Sequence, residues 1–326
     1  MTERKKVLVT SALPGGRLPE LEERCDMTVW QGEGPMPADT LRDQLADCSG
    51  LVCTLINRVD RQLLDAAPNL QFVSSMSVGV DHIDLPLLTE RGIPVGHTPG
   101  VLVDTTADTA FALLLAAARR VAEADRFVRA GLWRPENPWS PDFFVGKDVS
   151  GATLGIIGLG EIGQAVARRA EGFGMRILAW NRSPREVPGV QMVSLEELLL
   201  RSDFVSVNVA LTAETRNLLD AEHIGMMKPG SVLVNTARGG IVDEAALAEA
   251  LDSGAVYAAG FDVFEQEPLS TDNPLLAHER VVLAPHIGSA TTLTRARMAA
   301  LAIDNALAAL DGERMPHCAN RSVYDI

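Results

Sequence analysis

Cysteine is scarce in this sequence, and no long apolar run is present. Four of the 326 residues are cysteine, and they form neither a CxxC pair nor a metal-ligand spacing, which indicates reduced thiols and no metal site. The longest strongly apolar run, AFALLLAAA, is far too short to cross a bilayer. The first residues, MTERKKVLVTSALPGG, lack the long apolar core of a signal peptide. These absences predict a cytoplasmic protein that does not bind membranes.

Basic residues are fewer than acidic residues. Lysine and arginine total 29 residues against 43 aspartates and glutamates, for a net charge of −14. This balance argues against a nucleic acid or an anionic membrane as the partner, so we expect a small-molecule ligand. Hydrophobic residues make up 47% of the chain, which is ample for two domains that each have a buried core.

The stretch Thr153–Gly163, TLGIIGLGEIG, has the pattern of a strand, a tight turn and the start of a helix. In such a turn Gly158 lets the backbone turn sharply, Gly160 lets it approach a pyrophosphate, and Gly163 lets the helix pack closely on the strand. The pyrophosphate would lie at the helix N-terminus, where free N–H groups and the helix dipole favour negative charge. We predict a dinucleotide-binding turn; an ordinary structural turn is the alternative.

Short apolar runs alternate with helical patterns along most of the chain, which predicts parallel sheets covered by helices on both faces. The early runs are VLVT, MTVW, GLVCTLI, LQFVSSM and IPVGHT, and the later ones are TLGIIG, RILAWN, DFVSVNV, SVLVNTA, AVYAAGFDV and RVVLAP. Six later strands with the glycine turn after the first match a Rossmann arrangement. A last helix, from about Ser289 to Leu310, should return to the first domain. We therefore predict an α/β fold of two doubly wound parallel-sheet domains, in which a Rossmann cofactor domain (residues 104–289) is inserted into a flavodoxin-like substrate domain (residues 1–103 and 290–326).

Between the two sets of strands lies a long, alanine-rich segment with helical periodicity, from Asp104 to Ala130. It predicts one connecting helix, with Asp104 or a neighbouring threonine as its N-cap. The segment that follows is rich in proline and aromatic residues and has little periodicity. Its aromatic side chains either fix a loop to the core or form an arm that covers a second subunit, and the sequence favours neither.

The second strand of the Rossmann domain leads into Asn181-Arg182-Ser183-Pro184-Arg185. NAD-specific domains have a carboxylate at this place, which binds the ribose hydroxyl and would repel a phosphate attached there. Here two guanidinium groups replace it, and guanidinium can bind phosphate in bidentate fashion. We therefore predict that NADP(H) is preferred and that NAD(H) is possible; an exposed basic turn without a ligand is the alternative. A preference for NADPH would favour reduction as the working direction.

Three polar residues follow strands of the second domain. Arg238 comes after SVLVNTA, Glu267 lies in the loop after AAGFDVF, and His286 follows VVLAP. Each alone is compatible with a salt bridge, a solvated loop or a helix cap, but together they would line the crevice at the carboxyl ends of the strands. In the first domain, Val78 and Gly79 follow a strand in the same way, and their amides could bind a substrate carboxylate; an ordinary turn is the alternative.

These motifs resemble the D-2-hydroxyacid dehydrogenases and, within that family, most closely the glyoxylate/hydroxypyruvate reductases. The resemblance extends over nearly the whole chain, through MSVGVDHID, TPGVLVDTTADTA, LGIIGLGEIGQAVARR, NTARGGIVDEAAL, AAGFDVFEQEPL and PHIGSAT. It implies catalysis by Arg238, Glu267 and His286. It also implies a homodimer in which an aromatic residue of the arm, here Trp139 or Phe143, reaches the substrate pocket of the partner subunit.

The resemblance further implies which residues bind the ligands. Substrate contacts are expected from Val78, Gly79, Arg238, His286 and Ser289. Cofactor contacts are expected from Gly158, Gly160, Glu161, Ile162, Gly163, Asn181, Arg182, Ser183, Arg185, Ala210, Thr236, Arg238, Asp262 and Gly288.

The reduction of a 2-oxo acid explains why these residue types are needed. Hydride transfer to the carbonyl carbon places negative charge on the carbonyl oxygen. His286 would protonate that oxygen, Glu267 would favour and orient the charged imidazole, and Arg238 would bind the carboxylate and polarise the ketone. Two other functions are compatible with the sequence: a reductase of bulkier 2-oxo acids or 2-ketoaldonates, and a nucleotide-sensing binding protein similar to the C-terminal-binding corepressors.

Overall fold

A computed structural model describes residues 4–183 and 185–325. We number the strands and helices in chain order. The strands are β1 Lys6–Val9, β2 Asp26–Val29, β3 Gly50–Thr54, β4 Phe72–Met76, β5 Val95–Gly96, β6 Thr153–Ile157, β7 Arg176–Trp180, β8 Val190–Met192, β9 Phe204–Val207, β10 Ser231–Asn235, β11 Val256–Phe261 and β12 Val281–Leu283. The helices are α1 Leu18–Glu22, α2 Ala38–Leu45, α3 Arg61–Ala66, α4 Leu85–Glu90, α5 Val103–Ala118, α6 Val121–Arg129, α7 Glu161–Glu171, α8 Leu195–Arg201, α9 Ala221–Gly225, α10 Glu244–Asp252 and α11 Thr292–Leu310.

The chain divides into two compact units. One is formed by the residues up to Leu102 together with those from Ala290 onward, and the other by Val103–Ser289. The first unit has a parallel sheet in the order β2-β1-β3-β4-β5, which is the flavodoxin-like order. Helix α11 packs on this sheet, as expected, with Met298, Ala302 and Ile303 in a buried cluster that also contains Phe72.

The second unit has a parallel sheet in the order β12-β11-β10-β9-β6-β7-β8. The order reverses between β6 and β9, as in a Rossmann sheet, and β12 extends it by one strand. Successive residues of a strand point to opposite faces. Ile156 therefore belongs to a buried cluster on one face, with α5 and α7, whereas Ile157 belongs to a second cluster with α8 and α10. The predicted fold class is confirmed.

The structure corrects the strand count of the second unit. We expected six strands, and β8 is an additional one that pairs in parallel with β7. Its sequence is VQM, three residues in which a polar glutamine separates two half-buried apolar side chains. Such a short run lacks the apolar length that indicates a strand. Its pairing depends on the neighbouring strand rather than on its own sequence.

The prediction of one connecting helix through Ala130 is wrong. Helix α5 ends at Ala118 and α6 begins at Val121, because Arg120 adopts a left-handed conformation with a φ of +55°. The Ala118 carbonyl accepts a hydrogen bond of 2.8 Å from the Lys147 N–H, which comes from the segment after the helices. Periodicity could not reveal the break, since both pieces are helical in pattern. The N-cap prediction for Asp104 is also wrong, because this residue lies in the first turn of α5.

Within the described parts of the chain, no helix combines the length and the apolar character that a membrane crossing requires.

Candidate active site

The three glycines of the turn between β6 and α7 have different structural roles. Gly158 has a φ of +97°, and a Cβ there would lie 2.8 Å from the Asn208 backbone. A Cβ on Gly163 would lie 2.1 Å from the Gly158 carbonyl oxygen, so this glycine is required for the helix to pack against the turn. A Cβ on Gly160 would meet no atom within 4 Å, and Gly160 is the N-cap of α7. The turn therefore presents open backbone at a helix N-terminus, which fits a nucleotide pyrophosphate.

The turn after β7 contains the residues expected at the ribose end of the cofactor. Asn181 Oδ1 accepts the Leu159 N–H at 3.1 Å, and its amide donates to the Ser183 carbonyl at 2.7 Å, so Asn181 links this turn to the glycine turn. Arg182 and Arg185 are exposed, and Pro184 lies outside the described residues. Arg182 Nη1 lies 3.9 Å from Glu214 Oε2, a carboxylate that the sequence analysis missed because it belongs to a distant segment.

His286 and Glu267 form a hydrogen-bonded pair after β12 and β11. Glu267 Oε2 lies 2.6 Å from His286 Nδ1, and Glu267 Oε1 accepts the Phe264 N–H at 2.9 Å. Burial favours the protonated form of Glu267 and would raise its pKa. The hydrogen bond and positive charge of His286 act in the opposite direction, as do the Phe264 N–H and Arg238. Together these groups outweigh burial, and the pKa of Glu267 is lowered. Glu267 is therefore an anion that accepts the proton of Nδ1 and leaves Nε2 for another partner.

Asp262 holds the loop that carries His286. Its two carboxylate oxygens accept the N–H groups of Ile287 and Gly288, each at 2.7 Å, and its carbonyl accepts the His286 N–H at 2.9 Å. Burial raises the pKa of Asp262, whereas the two backbone N–H groups act in the opposite direction. His286 has a φ of +55°, which is uncommon for a residue other than glycine, and these three bonds stabilise that conformation.

Arg238 lies in the turn after β10, which Asn235 shapes. The buried Asn235 donates to the Arg238 carbonyl at 2.9 Å and accepts the Ala237 N–H at 3.0 Å. A Cβ on Gly239 would lie 1.8 Å from the Phe264 carbonyl oxygen, so glycine allows this turn to pack on the loop that leads to Glu267. Neither Asn235 nor Gly239 was singled out from the sequence. Asn235 acts within its own turn, whereas the need for glycine at position 239 comes from a separate segment.

Other residues expected at the site lie at the same edge of the sheet. Thr236 follows β10, and its buried hydroxyl has no partner among residues 4–183 and 185–325. Such a group fits a ligand that approaches this edge. Gly288 and Ser289 are buried in the loop after β12, and the Gly288 carbonyl lies 3.3 Å from Thr106 Oγ1. Glu161, Ile162 and Ala210 flank the glycine turn, on α7 and in the loop after β9.

The first unit places Val78 and Gly79 after β4, in a loop that side chains hold in place. The Gly79 carbonyl accepts the Ser77 hydroxyl at 2.9 Å, and the Val78 carbonyl lies 3.1 Å from His97 Nδ1. A second histidine, His82, is bonded through Ser75 to Ser77. In the part of the chain that the structure describes, the N–H groups of Val78 and Gly79 have no acceptor. The loop therefore has two amides available for an anion.

The second unit combines a Rossmann sheet, this glycine turn, and a paired imidazole and carboxylate at the carboxyl edge of the sheet. This combination defines a nicotinamide-dependent dehydrogenase. A family model for the NAD-binding domain of D-isomer-specific 2-hydroxyacid dehydrogenases matches residues 111–288. A glyoxylate reductase from Korarchaeum cryptofilum is 48% identical over 325 residues, which cover 98% of this chain and 97% of the relative.

Solved structures agree with the sequence comparison. A protein from Thermus thermophilus matches with a TM-score of 0.90 at 46% identity, over 96% of this chain and 99% of that chain. An NADPH-dependent glyoxylate/hydroxypyruvate reductase from Sinorhizobium meliloti, in complex with NADP and malonate, matches with a TM-score of 0.86 at 35% identity, over 97% of each chain. The chain belongs to the D-isomer-specific 2-hydroxyacid dehydrogenase family and is an NAD(P)-dependent oxidoreductase, which confirms the predicted family and enzyme class.

Proposed function

We propose that this enzyme reduces small 2-oxo acids, converting glyoxylate to glycolate and hydroxypyruvate to D-glycerate, with NADPH as the preferred electron donor. The observation that carries the proposal is the 2.6 Å contact between His286 Nδ1 and Glu267 Oε2 at the carboxyl edge of the Rossmann sheet. The names of the relatives support the substrate class, since the relative from Korarchaeum cryptofilum is a glyoxylate reductase.

The chemistry follows from the groups at this edge. When bound, the reduced nicotinamide supplies the hydride that the carbonyl carbon of the substrate accepts. His286, charged and oriented by Glu267, donates the Nε2 proton to the carbonyl oxygen as negative charge develops there. Arg238 binds the carboxylate and polarises the ketone. In the first unit, the N–H groups of Val78 and Gly79 bind carboxylate oxygens.

The NADPH preference rests on Arg182 and Arg185, which stand where an NAD-specific domain has a carboxylate. Both guanidinium groups are exposed and can reach a ribose phosphate in bidentate fashion. The related enzyme from Sinorhizobium meliloti is described as NADPH-dependent, which supports the same preference here. NADH remains a possible donor, because the glycine turn binds the part that both nucleotides share.

We also propose that the enzyme works as a homodimer. No residue of α6 is buried, and its exposed Val121 and Val128 are accompanied by exposed Leu132, Trp133 and Trp139 in the following segment. Five exposed large apolar side chains in one region suit an interface with a second copy. Phe143 packs on Phe127, at 5.7 Å between ring centroids, so Trp139 rather than Phe143 is the aromatic residue available to a partner subunit.

Steady-state kinetics test the substrate and the cofactor together. Glyoxylate, hydroxypyruvate, pyruvate and a set of bulkier 2-oxo acids are assayed with NADPH and with NADH. We expect the highest kcat/KM for glyoxylate or hydroxypyruvate with NADPH. A higher kcat/KM for the bulky acids would show that the enzyme is instead a reductase of bulkier 2-oxo acids within this family. Nucleotide binding without turnover of any acid would contradict the enzyme mechanism and favour a nucleotide-sensing binding protein.

A further inference from the structure

Arg182 has an anionic neighbour on the opposite side of the glycine turn. Strand β6 pairs with β7 on one side and with β9 on the other, so the turns after β7 and β9 flank the glycine turn. Arg182 belongs to the turn after β7, and Glu214 belongs to the turn after β9. Arg182 Nη1 and Glu214 Oε2 are 3.9 Å apart. A nucleotide phosphate bound by Arg182 would therefore meet a carboxylate.

The turn that carries Glu214 is held together by threonine hydroxyls. Thr212 Oγ1 donates to Glu214 Oε2 at 2.7 Å, and Thr215 Oγ1 donates to the Ala210 carbonyl at 2.6 Å. The Thr212 N–H in turn donates to Thr215 Oγ1 at 2.8 Å. This network fixes the backbone that presents Glu214, so the carboxylate is positioned by its own turn and does not depend on Arg182 alone.

Glu214 is ionised at neutral pH. The hydrogen bond from Thr212 lowers the pKa of Glu214, and the positive charge of Arg182 acts in the same direction. Both side chains of the pair are exposed to solvent, Arg182 to 78% and Glu214 to 69%. An exposed ion pair contributes little to stability, so it can open when a stronger anion binds to the arginine.

We propose that Glu214 sets the balance between NADPH and NADH by opposing the 2′-phosphate at Arg182. This inference rests on the proposed binding of that phosphate by Arg182 and Arg185. A phosphate monoester competes with Glu214 for the guanidinium group and is repelled by the carboxylate, whereas NADH places no charge at this point. Glu214 thus reduces the advantage that the arginines give to NADPH, and it keeps NADH usable in a site without the usual carboxylate on β7.

The exposure of Arg182 and Glu214 determines how large an effect on nucleotide affinity is expected. Charges a few ångströms apart near solvent change binding modestly, so removal of the Glu214 charge should strengthen NADPH binding about three- to tenfold. NADH binding should change less than about twofold. The effect should be largest at low ionic strength and should shrink as salt is added, since exposed charges are screened.

The test is a set of equilibrium binding measurements on the full-length enzyme. Dissociation constants for NADPH and NADH are measured by nucleotide fluorescence for the wild type, Glu214→Gln and Arg182→Ala. Displacement by adenosine 2′,5′-bisphosphate and by AMP repeats the comparison without the nicotinamide. Glu249→Gln is the matched control, because it removes an exposed carboxylate from α10 in the same unit.

We expect Glu214→Gln to strengthen NADPH and the bisphosphate selectively, while Glu249→Gln changes neither. An unchanged ratio of NADPH to NADH affinity in Glu214→Gln, with selective loss of NADPH binding in Arg182→Ala, would overturn the role of Glu214 and leave the phosphate site intact. An equal loss of both nucleotides in Arg182→Ala would instead overturn the phosphate site on which the inference rests.

Discussion

The loop after β4 in the first unit and the loops after β10, β11 and β12 in the second unit all follow carboxyl ends of parallel strands, but different groups hold them. Hydroxyl and imidazole side chains fix the loop after β4, through Ser77 and His97. In the second unit, carboxylates fix the loops after β11 and β12, through Glu267 and Asp262, and the amide of Asn235 shapes the turn after β10. One of these carboxylates, Glu267, also contacts the imidazole of His286 directly, so it orients the side chain as well as the loop.

This difference separates two tasks. A loop that only binds an anion needs rigid N–H groups, and side chains without negative charge can provide the rigidity without repelling the anion. A loop that donates a proton needs a group whose charge is controlled, and a carboxylate partner provides that control. We therefore expect changes in the loops after β11 and β12 to affect turnover and changes in the loop after β4 to affect substrate affinity.

The largest effect is expected from His286→Ala. Loss of the proton donor should reduce kcat on the order of a hundredfold or more, with little change in the NADPH dissociation constant. His223→Ala is the matched control, because His223 Nδ1 also contacts a carboxylate, Asp220, at 2.8 Å, but on helix α9. Near-normal turnover in His286→Ala would dismiss His286 as the acid, and an equal loss in His223→Ala would point to a general effect on folding.

Glu267→Gln should lower kcat by about tenfold, since the imidazole of His286 keeps a hydrogen-bond partner but loses its anionic one. The NADPH dissociation constant should stay within about twofold, because Glu267 contacts the proton donor. A normal kcat would show that Glu267 does not support proton donation by His286. It would also remove the distinction drawn between the two units.

The same variant tests stability against pH. The pKa of Glu267 is lowered in the folded protein, so the unfolded chain binds more protons between the folded and unfolded pKa values. The contribution of Glu267 to stability is thus present above its unfolded pKa and is lost as pH falls through the folded pKa. The Tm difference between wild type and Glu267→Gln should therefore stay constant from about pH 7 to about pH 5 and shrink as the pH falls below about 4. A difference that does not vary with pH would contradict this assignment.

The combined change Arg182→Ala and Arg185→Ala should weaken NADPH binding about tenfold and NADH binding much less, because only NADPH brings a phosphate to this turn. Arg201→Ala, which removes an arginine at the end of α8 in the same unit, is a suitable control. Equal losses for both nucleotides would defeat the phosphate assignment.

The smallest effect is expected in the first unit. Ser77→Ala removes the hydroxyl that holds the Gly79 carbonyl, so the loop should become less ordered. We expect KM for the 2-oxo acid to rise a few-fold while kcat stays within about twofold. A fall in kcat with an unchanged KM would contradict the division of tasks, because it would place the loop among the groups that act on the transition state.

Much of the fold was predictable, because its signals are local. Most strands coincide with short apolar runs of the sequence, and most helices coincide with segments whose apolar residues recur at helical spacing. The two sheets and the inserted arrangement therefore follow from these patterns. The failures occurred where local pattern is weak or ambiguous. Strand β8 has three residues and pairs only because β7 lies beside it, and the break at Arg120 depends on a segment that packs against the end of α5.

By itself, the sequence determined the glycine turn, the type of sheet, and the set of candidate residues at the ends of the strands, since each depends on residues close together in the chain. Only the tertiary structure decided which of these residues meet. The pairing of Glu267 with His286, the support of the His286 loop by Asp262, and the approach of Glu214 to Arg182 join separate segments. Strand order and register bring such segments together, and no local pattern encodes the distance between two side chains that are far apart in the chain.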